Sequence, residues 1–147
     1  MQVNISTFLP ISAEQLLEQL KSPKRLQETA APLVYFDFAG EGELPEQWQS
    51  RSYLFSVRVF GFLPFGKHTM DFTYPGDLSI RDNGHSALCK RWDHLMSVKD
   101  TEGGCIYNDC AQVEAGIMTP IIWLFAQAMY RYRQRSWRKL VPQLRQG

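Results

Sequence analysis

His94, Tyr107 and Asp109 are the residues of this chain best placed to do chemistry together. Each carries a group that gives or takes a proton. They lie on two neighbouring segments whose apolar and polar residues alternate, as in half-buried strands. Folding these segments about Thr101 to Gly104 sets Met96 opposite Asp109 and His94 opposite Ala111. In this preferred register all three polar residues share the face that holds Trp92 and Met96; a bulge near Gly84 would reverse it. A carboxylate on that face is partly desolvated, and its pKa rises unless His94 or an arginine pairs with it. Such a cluster can orient a ligand carbonyl or hydroxyl, or act as acid and base on a cyclising substrate. It can equally be a buried network in which Asp109 and His94 satisfy one another, and for catalysis that structural reading is the stronger one.

Other chemistries lack their signals. His68, His85 and His94 stand on separate segments with no HxxxH or HExxH spacing, and Cys89, Cys105 and Cys110 form no CxxC pair. The expectation is no metal site. Without GxGxxG, GxxxxGK[ST] or GxSxG, no dinucleotide, P-loop or serine-hydrolase reading holds and no cofactor is expected. A formal net charge of +1 argues against a nucleic-acid partner. After Glu114 the chain carries only basic charges, and Arg131, Arg133, Arg135, Arg138 and Lys139 read as solvating the end of a helix and offsetting its dipole. No signal peptide or membrane-spanning stretch is visible, which with the odd cysteine count points to a reduced, cytoplasmic protein.

The elements that position these residues follow from periodicity. Gln2 to Leu9 suggests a strand, and Ser12 with Gln15 forms a capping box opening a short helix. Ser22-Pro23 opens a second helix ending near Ala31-Pro32, and Leu33 to Phe38 is a second strand. Tyr53, Phe55 and Val57 then alternate with polar neighbours, as do His68, Met70, Phe72 and Tyr74 beyond Phe62-Leu63-Pro64-Phe65-Gly66. A turn at that apolar segment pairs Val59 with His68, Val57 with Met70 and Phe55 with Phe72, leaving one apolar face. Asp82-Asn83-Gly84 reads as the next hairpin turn, followed by a strand from Ser86 to Val98 and a last strand through Ala115.

Thr119 and Pro120 suit the start of a long helix running to Pro142. Its first half is apolar nearly all round, so Leu124, Phe125, Ala128 and Met129 are expected to meet the sheet while Gln127 faces water. Trp123, Tyr130 and Trp137 form an aromatic stripe best explained by core packing.

The order is β-α-α-β-β-β-β-β-β-α, and with it the chain resembles the START-like superfamily. That group is also called the helix-grip or polyketide cyclase/dehydrase and lipid-transport (SRPBCC) superfamily. Local motifs resemble those of uncharacterised bacterial members: Phe60 to Gly66, Arg91-Trp92-Asp93-His94, Tyr107-Asn108-Asp109 with Ala115-Gly116, and Tyr130-Arg131-Tyr132-Arg133. The resemblance implies one α+β domain over residues 1–147, with a seven-stranded antiparallel sheet wrapped around the terminal helix and an apolar cavity between them. On that footing the expected function is binding or carrying a hydrophobic small molecule, lipid or aromatic. The expected cavity is on the order of 300–1,000 Å³. Its expected ligand-binding residues are Tyr53, Phe55, Met70, Phe72, Trp92, His94, Tyr107, Asp109, Leu124 and Ala128. The alternatives are a cyclase/aromatase-type enzyme using Asp109, His94 and Tyr107, and an interaction module. In the latter, Phe62, Leu63 and Phe65 touch a membrane or protein transiently.

Overall fold

A computed structural model describes residues 1–146. Its elements are β1 (Gln2–Leu9), α1 (Ala13–Leu20), α2 (Pro23–Ala30), β2 (Val34–Phe38), β3 (Ser52–Val59), β4 (Leu63–Thr73), β5 (Ser79–Ser86), β6 (Arg91–Thr101) and β7 (Gly104–Glu114), then a 3₁₀ turn (Gly116–Met118) and α3 (Thr119–Gln146). The seven strands form one antiparallel sheet in the order β1-β7-β6-β5-β4-β3-β2. The long helix lies along its concave face, packing on β1, β7 and α2. This is the α+β helix-grip architecture.

Local chemistry accounts for the frame. The Ser12 hydroxyl accepts the Gln15 N–H at 3.1 Å while the Gln15 side chain reaches back to the Ser12 N–H, completing the capping box. Ser22 caps α2 with Pro23 in its first turn. In the β6–β7 pair Met96 stands opposite Asp109 and His94 opposite Ala111, as the alternation predicts. Trp92, His94, Met96 and Val98 are all buried on the concave side.

Two turns fall elsewhere than expected. The β3–β4 turn lies at Phe60-Gly61, where both residues have positive φ, so the strands close a tighter hairpin. Phe55 therefore pairs with His68 and Tyr53 with Met70, while Pro64 and Gly66 sit inside β4 beside a bulge. The slip is even in residues, so the same face stays apolar. Asp82-Asn83-Gly84 is no turn but the middle of β5; the chain reverses at 87–90 instead. A side chain at Gly84 would fall 2.7 Å from the His68 Nε2, so glycine there serves close packing across the sheet.

The terminal helix also departs from expectation. Pro142 lies in its last turns without ending it, exposed where only one backbone hydrogen bond is lost. The face turned to the sheet carries Ile122, Ala126, Met129, Tyr130, Arg133, Gln134, Trp137 and Val141. Leu124 is 61% exposed and Ala128 is exposed, so neither grips the sheet.

Candidate functional site

The carboxylate of Asp109 is the centre of a polar cluster beneath α3. Its Oδ1 accepts the Tyr107 hydroxyl at 2.6 Å and lies 2.7 Å from His94 Nε2. Its Oδ2 accepts the Gln134 amide at 3.0 Å, and that amide also donates to the Ile5 carbonyl at 2.8 Å. Asp109 and Tyr107 are wholly buried. Burial alone pushes the Asp109 pKa up, but His94, Arg133 and the Tyr107 hydroxyl outweigh it and hold the carboxyl below its usual range. The same burial, with Asp109 close by, drives the Tyr107 phenol far upward, so it stays a hydrogen-bond donor. β6 and β7 bring His94, Tyr107 and Asp109 together because their pairing puts all three on one face within two rows.

In front of this cluster is a cavity of about 70 Å³ between β2–β6 and α3, with Leu20 of α1 and Leu26 of α2 at its edge. It is far smaller than the range expected from the sequence. The reason lies at both ends of the concave face. Trp48 stacks on Phe72 at 4.2 Å and meets Tyr53 and Phe55 edge-on, filling one end with aromatic rings. The Asp109–Gln134 cluster fills the other.

Of the residues expected to touch a ligand, Met70, Phe72, Trp92 and His94 line the cavity. Tyr53 and Phe55 pack in the aromatic cluster beside it, and Asp109 and Tyr107 stand behind His94. Leu124 and Ala128 point away into solvent, which corrects their assignment. They fall on the wrong side because α3 is apolar on several faces over its first turns, so composition alone gave it no direction. In the β3–β4 tip, Phe62 is 72% exposed and Leu63 is exposed, whereas Phe65 is half-buried, lines the cavity and meets Trp92 edge-on.

The lining holds four titratable side chains besides His94. Tyr130 accepts the Trp92 indole N–H at 2.6 Å. Asp82 receives the Asp71 N–H at 2.9 Å, and burial drives its pKa well above the carboxylate range. His68 is enclosed with no partner for Nδ1, and burial lowers its pKa to about 4, which keeps the ring neutral. Arg133 completes the lining from α3. It was expected to solvate the helix end and is instead buried. The sequence held a signal for it: Arg133 and Gln134 each lie three residues from a member of the Tyr130–Trp137 stripe, and therefore on its face. Among the described residues no cluster of three or more metal-ligating side chains occurs.

No protein-family model matches the sequence, and no curated protein matches it in sequence. The fold is widely shared among solved structures. A START superfamily protein from Mycobacterium smegmatis superposes with a TM-score of 0.69 at 13% identity, over 97% of this chain and 98% of that one. A protein from Thermus thermophilus gives 0.68 at 9% identity, over 96% and 97%. A nucleoside-diphosphate sugar epimerase from Corynebacterium glutamicum gives 0.66 at 19% identity, over 93% of this chain but 28% of that chain. At these identities the likeness defines architecture: the chain has the START-like fold.

Proposed function

We propose that the protein binds a small hydrophobic molecule, a lipid-like chain or a compact aromatic, in the cavity between the sheet and α3. The observation that supports this most is the lining itself. Aromatic and aliphatic side chains dominate it, and a few polar groups converge there from β4, β5, β6 and α3. That mixture suits recognition of an apolar body with one polar end. The volume favours a narrow guest, and a larger one requires Phe65 and Phe125, both half-buried at the cavity, to swing aside. Met70→Trp fills this space from the floor. Titration of the folded protein with octan-1-ol, followed by the NMR shift of the Met96 methyl group, is expected to saturate in the unchanged protein and to fail in Met70→Trp. Binding undiminished in the filled variant places the ligand elsewhere and ends this reading.

One observation supports an enzymatic alternative. His94 lines the cavity with Nε2 held by Asp109, and among the described residues nothing hydrogen-bonds its Nδ1. A carboxylate-oriented imidazole facing a pocket is the arrangement of a general base, with Asp109 positioning it rather than touching substrate. Asp109→Asn is then expected to lower turnover of a cyclising aromatic substrate about 10²-fold or more with little change in binding. Equal turnover in the two proteins removes the enzymatic reading.

A further inference from the structure

Arg133 projects from α3 into the cavity with 4% of its surface exposed. Its Nε donates to the Thr29 hydroxyl at 3.3 Å, and that hydroxyl in turn donates to the Arg25 carbonyl at 2.9 Å. No other hydrogen bond is made by its guanidinium, and no carboxylate lies within ion-pairing distance of it among the described residues. Asp82 and Asp109 are near enough to act on it through space but neither touches it, and a buried guanidinium left with one long hydrogen bond is costly.

Neither of these acids supplies a direct hydrogen-bond partner. Asp109 already accepts from His94, Tyr107 and Gln134, so its lone pairs are occupied. Asp82 accepts the Asp71 N–H, and burial drives it toward its neutral form. Arg133 lines the cavity, its terminal nitrogens make no hydrogen bond to the described residues, and a planar guanidinium fork matches a carboxylate in bidentate geometry. A single guanidinium neutralises one negative charge; the dianion of a phosphate monoester would bring a second, uncompensated charge into the same apolar space.

We propose that Arg133 anchors the headgroup of the ligand, and that the ligand is a small amphipath with an apolar body and one terminal carboxylate. This rests on the cavity being the binding site proposed above. Its body would lie against Met70, Trp92 and Met129, which line the same space.

The test compares octanoate, octan-1-ol and octyl phosphate in the full chain by calorimetry, with the Arg133 Nε–Hε resonance followed by NMR. The unchanged protein is expected to bind octanoate at least tenfold more tightly than octan-1-ol, with a shifted Arg133 resonance. Arg133→Met is expected to lose that preference while its affinity for octan-1-ol stays within about threefold. Equal binding of acid and alcohol, or a preference surviving in Arg133→Met, overturns the anchor and leaves the cavity reading standing. Tighter binding of octyl phosphate overturns the carboxylate assignment. Failure of all three ligands to bind overturns both readings. The comparison of ligands is made first in the unchanged protein, so it decides the matter even if Arg133→Met does not fold.

Discussion

The two halves of α3 meet the same sheet in opposite ways. From Gln134 to Val141 the sequence is largely charged and polar, yet Gln134, Trp137 and Val141 are buried and Gln134 hydrogen-bonds the Asp109 carboxylate. From Thr119 to Met129 the sequence is almost wholly apolar, yet Ile121 and Leu124 are exposed, and Phe125 and Met129 border the cavity. A closed half and an open half thus share one helix. Burial here follows which face the sheet reaches, and the amount of apolar surface on the helix does not determine it.

Paired substitutions can break this comparison. Ala126 is wholly buried on the gripped face, so Ala126→Arg places an unpaired charge there and is expected to cost roughly 3–5 kcal/mol. That is a large share of an ordinary domain's stability, and urea denaturation should show a partly or wholly unfolded protein. Equal losses from Ala126→Arg and Ala128→Arg would mean that the gripped face is misassigned.

A middle-sized effect belongs to the open half. His68 has an ordinary pKa of 6.5 when the chain is unfolded and about 4 when folded, because burial disfavours its charged ring. Between those values only the unfolded chain takes up the proton, so its contribution to stability is intact above pH 6.5 and falls as the pH drops toward 4. The loss amounts to roughly 3 kcal/mol at about 1.4 kcal/mol per pH unit. His68→Gln should flatten that part of the stability profile relative to the unchanged protein. Parallel profiles would show that His68 is solvated and that the open half is wetter than its geometry implies. The smallest effect belongs to Ala128→Arg, expected to shift stability by no more than about 0.5 kcal/mol because position 128 faces water.

The sequence made the element order legible, together with the capping box and the pairing that gathers His94, Tyr107 and Asp109. Those features rest on local chemistry and on strict two-residue alternation. What escaped it depends on contacts distant in the chain. Asp82-Asn83-Gly84 carries a turn signal, but its glycine makes room for His68 and its aspartate takes the Asp71 N–H. Phe60 adopts a positive φ that few bulky residues tolerate, so the hairpin closed earlier than Pro64 and Gly66 suggested. Arg133 looked like one of several solvating arginines, and only the packing of α2 against α3 brings Thr29 to its guanidinium.

The placement of β1 beside β7 has a consequence in time. Gln2 pairs with Gln112 and Leu9 with Cys105, so most of the chain must be synthesised between one strand and its partner. At a synthesis rate of roughly 5–20 residues per second, β1 waits on the order of ten seconds with neither edge bonded. The β3–β4 hairpin needs no such delay, since both its strands emerge almost together. Assembly on the ribosome should therefore begin in the middle of the sheet, and β1 should be secured only once β7 has emerged.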